Sequence, residues 1–262
     1  MAFSRHLCLF LVIALPGAIA SATDIYIIAG QSNAWRLGSL AGIPGEESGS
    51  ILYFGMACSS RPEKAQLTII KKLHPSISGA GLAGTLRAKA RKDIVFIQYG
   101  VCGSSLNDTA NWYPGDNPAA AITNDEGLYQ SFTRYLADIR LQLEAEGIQW
   151  KVDGLFWHQG EADTGHDLTT YEQNLRNLFW RFRNDLGENL PIIAGHIRDL
   201  DAASRQLNLA IDAVADTDPL FAVVPLDGLP FESPTDVHVK PAGCIVLGER
   251  LAEAFMKLQR HP

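Results

Sequence analysis

Short apolar runs alternate along the chain with longer segments in which apolar residues recur every three or four positions. The runs are rich in Ile, Val and Phe, and each predicts a strand that is buried on both faces. They cover residues 24–29, 94–99, 152–157, 191–194 and 221–224. We therefore expect a mainly parallel sheet of five strands.

The longer segments predict amphipathic helices. Within residues 126–146, Leu128, Phe132, Tyr135 and Ile139 follow one another at spacings of three or four, which places them on one face of a helix. Similar patterns predict helices over 81–92, 202–217 and 241–259 and around residues 171–182. Strands that alternate with helices indicate an α/β fold with helices on the faces of a parallel sheet.

Two irregular stretches, residues 36–49 and 107–126, are rich in Gly and Pro and follow predicted strands. Loops at the carboxyl ends of parallel strands commonly build ligand sites, so both are candidate walls of a substrate cleft. An ordinary surface loop is the alternative for the first stretch. Asn107 begins an Asn-Asp-Thr sequence, which is an acceptor for N-glycosylation.

Residues 1–22 have the pattern of a secretory signal peptide. Arg5 precedes an unbroken apolar run over residues 7–15, and Ala18 and Ala20 fit a cleavage site with small residues. Nine apolar residues are too few for a membrane span, which needs about 20. We expect residues 23–262 to form a single secreted domain, located in the cell wall or apoplast if the source is a plant.

Composition narrows the classes of partner. The chain has 262 residues, of which 22 are basic and 29 acidic, for a net charge of −7. An acidic chain without a basic cluster argues against nucleic acid or an anionic membrane as the main partner. Signal cleavage leaves Cys58, Cys102 and Cys244, so one disulfide is possible, and the sequence leaves its pairing open.

The first polar cluster follows the first strand. Residues 30–33 read Gly-Gln-Ser-Asn, and Ser32 is placed where a tight turn can hold a nucleophile. A helix-capping serine is the structural alternative. Ala34 stands where the Gly-x-Ser-x-Gly elbow of α/β-hydrolases has its last Gly, which argues against that fold.

Two further clusters follow the second and third strands. Residues 100–106 contain Gly103, where a substrate oxygen can approach a bare backbone N–H. Residues 158–163 read His-Gln-Gly-Glu-Ala-Asp, and His158 alone could be a satisfied core histidine. A metal site formed by His158, Glu161, Asp163 and His166 is a further alternative, but their spacing lacks the His-x-x-x-His pattern of a zinc helix.

The fourth cluster precedes the last helix. Asp236 and His238 are two residues apart and share a face in extended chain. A carboxylate that accepts the Nδ1–H of the imidazole leaves Nε2 free to take a proton from a serine. A turn before a helix that begins with Pro241 is the structural alternative.

The four clusters, in this order, resemble the SGNH hydrolases, and within them the sialate O-acetylesterase-like branch that includes carbohydrate esterase family six and plant esterases. The resemblance implies a three-layer α/β/α, flavodoxin-like fold and hydrolysis of acetyl esters on sugar hydroxyls, with no metal or organic cofactor. Its matching blocks span almost the whole mature chain, and the block at residues 158–163 is the most specific.

The resemblance also implies residue roles. Ser32 would be the nucleophile, His238 the general base, and Asp236 the acid that orients it, with Glu161 as the alternative acid. Oxyanion donors would be the N–H groups of Ser32 and Gly103 and the side chain of Gln159. Substrate-binding residues would be Gln31, Asn33, His158 and Trp112.

We expect an acetylated oligo- or polysaccharide as the substrate and a monomeric enzyme. The alternative from another class is a catalytically inactive carbohydrate-binding protein on the same fold, in which Trp112 and Tyr113 would stack on sugar rings. A lipase-like or thioesterase relative is less favoured, because the sequence lacks a long apolar lid segment.

Overall fold

The computed structural model of the chain describes residues 23–38, 50–59, 61, 67–72, 81–120 and 127–260. The predicted signal peptide at 1–22 lies outside the described residues, as do parts of both irregular stretches. The strands are β1 (Asp24–Gly30), β2 (Ser50–Phe54), β3 (Leu67–Lys72), β4 (Ile94–Gly100), β5 (Val152–His158), β6 (Ile192–Gly195) and β7 (Phe221–Val224). The helices are α1 (Ser32–Gly38), α2 (Gly81–Ala90), α3 (Leu128–Ala145), α4 (Leu168–Leu186), α5 (Ala202–Ala215) and α6 (Pro241–Leu258).

The strands form one sheet in the order β3-β2-β4-β1-β5-β6-β7. Six of them run parallel to one another, and β3 pairs antiparallel with β2 at one edge. The predicted α/β architecture and all five predicted strands are confirmed. The predicted strand count of five is wrong, because β2 and β3 extend the sheet beyond β4.

Helices cover both faces of the sheet, which gives three layers. In β1 the side chains alternate: Ile25 and Ile27 join the core formed with α3, α4 and α5, while Tyr26 and Ile28 join the core formed with α1, α2 and α6. A strand with apolar residues on both faces must be covered on both faces. The continuous apolar runs in the sequence follow from this arrangement.

Local signals set where the later helices begin. The carboxylate of Asp167 accepts the N–H of Thr170 at 2.7 Å at the start of α4. Asp201 and Ser204 form a reciprocal capping box at the start of α5, and Pro241 is the first residue of α6. Among the described residues, none of the helices combines the length and apolar content needed to cross a membrane.

Candidate active site

The carboxyl ends of three central strands meet at one edge of the sheet. Gly30 of β1 is in register with Gly100 of β4 and with His158 of β5. Gly30 has a φ of 136°, and a Cβ atom there would collide with the carbonyl oxygen of His158. Only glycine fits this position, and it lets the chain turn directly from β1 towards Ser32.

Ser32 is the first residue of α1, and its side chain faces a residue that lies 206 positions further along the chain. Its Oγ lies 3.0 Å from Nε2 of His238. Ser32 is only 6% exposed, whereas about a third of the His238 side chain is accessible. The pair therefore lies at the boundary between the interior and the surface.

Asp236 holds the other side of the same imidazole. One carboxylate oxygen lies 2.7 Å from Nδ1 of His238 and also accepts the backbone N–H of His238 at 2.8 Å. The backbone N–H bond, followed by the contact with the imidazole, lowers the pKa of Asp236 despite some desolvation. An ionised Asp236 fixes a proton on Nδ1, which leaves the Nε2 lone pair directed at Ser32.

Asp236 and His238 lie on a segment, residues 231–239, that we call the acid–base loop. Phe231 and Val239 form an isolated antiparallel bridge at its two ends. The N–H of Glu232 donates to the carbonyl of His238 at 3.0 Å. The side chain of Arg36 in α1 donates to Glu232 at 2.6 Å and to the carbonyl of Val239 at 3.1 Å. The loop is thereby closed on itself and tied to the helix that carries Ser32.

Glu161, the alternative acid, does not contact His238. Its Oε1 accepts from Nδ2 of Asn33 at 2.6 Å and lies 3.2 Å from Nε2 of His158. Burial works to raise the pKa of Glu161, but the nearby imidazole of His158 and the hydrogen bonds outweigh it, so that the pKa is lowered. The structure therefore places Asp236, and not Glu161, against the imidazole of His238.

Asn33 connects this buried pair to the acid–base loop. Its Nδ2 also donates to the carbonyl of Val237 at 3.0 Å, and its Oδ1 accepts the N–H of Val239 at 3.2 Å. Asn33 and His158 are both 0% exposed. Asn33 holds the loop from within the protein and His158 contacts Glu161, so the predicted contact of these two buried side chains with substrate does not fit their positions.

The segment after β4 contains Gly103, whose φ is 70° and beside whose Cα there is open space. Within the described part of the chain, the backbone N–H groups of Ser32 and Gly103 donate no hydrogen bond. A disulfide joins the preceding Cys102 to Cys58, which follows β2, with 5.2 Å between the Cα atoms. The structure thus supplies the pairing that the sequence left open, and it leaves Cys244 as a free thiol.

Asp163 organises the same segment, a role that the sequence analysis did not assign. Its carboxylate accepts from Oγ of Ser105 at 2.5 Å and from the N–H groups of Leu106 at 2.8 Å and Asn107 at 3.2 Å. Asp163 is the last residue of the His-Gln-Gly-Glu-Ala-Asp block. Its place in that block was the signal available in the sequence, and in the structure its carboxylate accepts hydrogen bonds from the segment after β4.

Two predicted roles are wrong. The side-chain N–H groups of Gln159, which were predicted to face an oxyanion, donate instead to the carbonyl of Ser104 and to Asp163. Trp112 was predicted to stack on sugar, yet it is 0% exposed in the apolar core, and its Nε1–H donates to the carbonyl of Gly30 at 3.1 Å. A buried indole offers no face to a sugar ring.

The structure shows where three other predicted features lie without testing their roles. They are the substrate contact of Gln31, the glycosylation of Asn107 and the alternative metal site. Gln31 is 3% exposed, and its Oε1 accepts the N–H groups of Gly160 and Ala162 at 3.3 Å each, so it ties β1 to the end of β5. Asn107 is half-buried and accepts from Nδ2 of Asn174 at 2.8 Å, and its glycosylation stays a prediction. Among the described residues, no cluster of three or more His, Cys, Asp or Glu side chains could hold a metal ion.

Known proteins match this chain both in sequence family and in fold. The family model described as carbohydrate esterase, sialic acid-specific acetylesterase, matches residues 22–257. No curated protein sequence matches the chain. A solved protein from Arabidopsis thaliana superposes with a TM-score of 0.61 at 19% identity, over 90% of this chain and 98% of its own.

Two solved enzymes share the same fold. A carbohydrate acetylesterase from Xanthomonas citri has a TM-score of 0.60 at 14% identity, with 91% of this chain and 57% of that one covered. A family 2 carbohydrate esterase with a carbohydrate-binding domain, from Myceliophthora fergusii, has a TM-score of 0.50 at 15% identity, over 94% and 69% of the two chains. At these identities the likeness shows the fold. Because the family model covers residues 22–257, nearly the whole chain, the chain belongs to the carbohydrate esterases of the sialic acid-specific acetylesterase family.

Proposed function

We propose that this protein is a secreted O-acetylesterase that removes acetyl groups from sugar hydroxyls through an acyl-enzyme on Ser32. The observation that carries the proposal is the line of three side chains, with 3.0 Å from Ser32 to His238 and 2.7 Å from His238 to Asp236. These distances are within hydrogen-bond reach, which is what proton transfer from a serine to a general base requires.

The first half of the reaction forms the acyl-enzyme. Oγ of Ser32 attacks the acetyl carbonyl carbon while Nε2 of His238 takes the hydroxyl proton, and Asp236 stabilises the resulting imidazolium. The N–H groups of Ser32 and Gly103, which have no partner among the described residues, would donate to the oxyanion. His238 then gives its proton to the sugar oxygen as the carbon–oxygen bond breaks, and the sugar leaves with a free hydroxyl.

The second half returns the enzyme to its starting state. Water attacks the acetyl carbonyl of the acyl-enzyme while His238 takes one of its protons. The bond to Oγ of Ser32 then breaks, His238 returns the proton to Oγ, and the product leaves as acetic acid, which ionises to acetate in solution. Over both halves, the acetyl ester and one water molecule become a free sugar hydroxyl and acetic acid, and Ser32 and His238 return to their starting state.

The substrate class follows from the family and not from the triad. Membership among carbohydrate esterases supports an acetylated oligo- or polysaccharide as the substrate. The signal-like pattern of residues 1–22 supports secretion, and the family match begins at residue 22, beyond nearly all of that segment.

The test is acetate release by the purified mature protein. An aryl acetate serves as the first substrate, followed by acetylated xylan, pectin, mannan and O-acetylated sialic acid. We expect Ser32→Ala and His238→Ala each to lower kcat by roughly 10⁴-fold or more, because triad members act as a unit. Turnover that persists in both variants would contradict the serine mechanism.

Glycan binding without acetate release, unchanged in Ser32→Ala, would support the inactive binding protein instead. The structure removes one basis for that alternative, because Trp112 is buried and cannot stack on a sugar.

A further inference from the structure

Arg198 lies between β6 and α5, outside every block that the sequence analysis singled out, and its side chain reaches the acid–base loop. Nη1 of Arg198 donates to the carbonyl of Ser233 at 2.8 Å and makes a second, short hydrogen bond to the carbonyl of Asp236. The guanidinium carbon lies 4.0 Å from the ring centroid of Phe231. One side chain therefore contacts the loop at three residues.

The backbone that carries Arg198 is itself fixed. The N–H of Ile197 donates to Oδ1 of Asn208 at 2.9 Å, and Nδ2 of Asn208 donates back to the carbonyl of Ile197 at 3.0 Å. The preceding N–H, that of His196, donates to the carbonyl of Val224 at 3.0 Å. These bonds hold Arg198 against α5 and β7, so the guanidinium extends from a rigid base.

The other ties to the acid–base loop act elsewhere along it. Arg36 contacts Glu232 and Val239, and Asn33 contacts Val237 and Val239. Among the described residues, Arg198 alone contributes side-chain hydrogen bonds to the backbone of residues 233–236. Without it, the turn that carries the Asp236 carboxylate would be held only by the bond from the N–H of Asp236 to the carbonyl of Ser233 and by the contacts between Asp236 and His238.

We propose that Arg198 is a positioning residue for the esterase reaction. By donating hydrogen bonds to the carbonyls of Ser233 and Asp236, it fixes the Asp236 carboxylate against His238. This inference rests on the proposed function. A planar guanidinium can donate to carbonyls while it stacks on an aromatic ring, which the compact ammonium of lysine does less well. The residue acts through Asp236 and does not touch the reacting atoms.

The first test is the kinetics of Arg198→Ala and Arg198→Lys. Small misplacements of catalytic groups cost up to about 100-fold in rate, so we expect kcat of Arg198→Ala to fall about 10- to 100-fold with KM nearly unchanged. Arg198→Lys keeps the charge and should recover only part of the loss. The matched control is Arg205→Ala, because Arg205 is exposed and pairs with Asp199 at 2.9 Å, and its side chain makes no hydrogen bond to the acid–base loop among the residues that the structure describes.

The second test separates positioning from general stability. If Arg198 acts through Asp236, Arg198→Ala should cost much less in an Asp236→Asn background than in the wild type, since the carboxylate it positions is already lost. Equal losses in both backgrounds would overturn the proposal. An unchanged kcat in Arg198→Ala would overturn it as well.

The third test does not depend on catalysis. We expect the amides of Glu232, Asp236 and His238 to exchange hydrogen faster in Arg198→Ala or, if that variant does not fold, in Arg198→Lys, and to be unaffected in Arg205→Ala. Unchanged hydrogen exchange would show that Arg198 does not hold the acid–base loop, even if the protein is an esterase. If exchange is faster in Arg198→Ala but turnover does not depend on Ser32, the proposed function is contradicted, while the role of Arg198 in holding the acid–base loop is supported.

Discussion

Two carboxylates lie near the imidazoles of this site, and their surroundings separate their roles. Asp236 is about a third exposed, contacts His238 and lies at the surface end of the triad. Glu161 is 4% exposed and faces Asn33 and His158 on the inner side. The first can stabilise a charge that appears on His238 during the reaction, while the second accepts from Asn33 and contacts His158, and so orients side chains that stay buried.

This difference predicts unequal effects of removing the two charges. Asp236→Asn should lower kcat by up to about 10⁴-fold, because an amide does not fix the Nδ1 proton or stabilise the imidazolium. Glu161→Gln should lower kcat much less, since an amide oxygen can still accept from Asn33 and His158. Steady-state kinetics of the two variants decide between the acids, and a larger loss in Glu161→Gln would reverse the assignment.

At the residue scale, the sequence could predict the roles of residues that are marked by their neighbours in the chain. Asp236 and His238 stand two apart, and Ser32 follows a strand end, so their roles could be proposed without coordinates. The assignments of Trp112 and Gln159 failed because exposure depends on packing across the whole fold. Arg198 carries no motif, since the carbonyls it contacts are 35 and 38 residues away and belong to the backbone.

At the scale of elements, the helices predicted over 81–92, 126–146, 202–217 and 241–259 agree with the structure to within about two residues at each end, while the helix predicted around 171–182 extends further, over Leu168–Leu186. Strong periodicity and clear caps account for this. Strands β2 and β3 were missed because Ser50–Phe54 and Leu67–Lys72 follow Gly- and Pro-rich or charged sequence, without a helical pattern between them to mark a crossover. Strand β3 also lies at an edge of the sheet and ends in Lys71 and Lys72, which weakens its apolar signal.

The cap of α5 gives a prediction for the pH dependence of stability. The backbone N–H of Ser204, and then its hydroxyl, lower the pKa of Asp201 from its ordinary value of 3.8. Because the folded pKa is the lower one, ionised Asp201 stabilises the folded state above pH 3.8, and this contribution is lost as the pH falls through the folded pKa.

Asp201→Ala should therefore lower the free energy of unfolding at pH 7, and the difference from the wild type should shrink as the pH falls below 3.8. Urea unfolding across this range provides the measurement. Asp199→Ala is the control, because Asp199 makes an exposed ion pair with Arg205 and the cap of α5 is Asp201. A difference between Asp201→Ala and wild type that is constant with pH would contradict the ionised cap.

At the scale of the whole molecule, the residues of the candidate active site come together at one edge of the sheet, where the parallel strands have their carboxyl ends. The segments after β1, β4 and β5 and the acid–base loop meet there, although Ser32 and His238 are 206 residues apart. Parallel strands in a doubly covered sheet place all their carboxyl ends on one side, which is why a sequence-based topology already predicted this convergence. The pairing of Cys58 with Cys102 could not be predicted, because it depends on β2, which was missed.

The disulfide gives the last prediction. It joins the ends of β2 and β4 across 44 residues, next to Gly103, and a cross-link of that span stabilises a fold by about 4 kcal/mol in the chain-entropy model. The double variant Cys58→Ser/Cys102→Ser should lose free energy of unfolding of that order, and its kcat should fall as the N–H of Gly103 becomes less fixed. Urea unfolding and acetate release, each with and without reductant, measure both effects.

Cys244→Ala is the control for the disulfide, since burial raises the pKa of that free thiol to about 11 and leaves it poorly reactive. Reductant should destabilise both the wild type and Cys244→Ala, and it should leave the double variant unchanged. If reductant leaves the wild type as stable and active as before, the disulfide neither stabilises the fold nor fixes the position of Gly103 in the segment after β4. If stability falls but kcat does not, the hydrogen bonds that Asp163 accepts from Ser105, Leu106 and Asn107 and that Gln159 donates to Ser104 hold the segment after β4 without the disulfide.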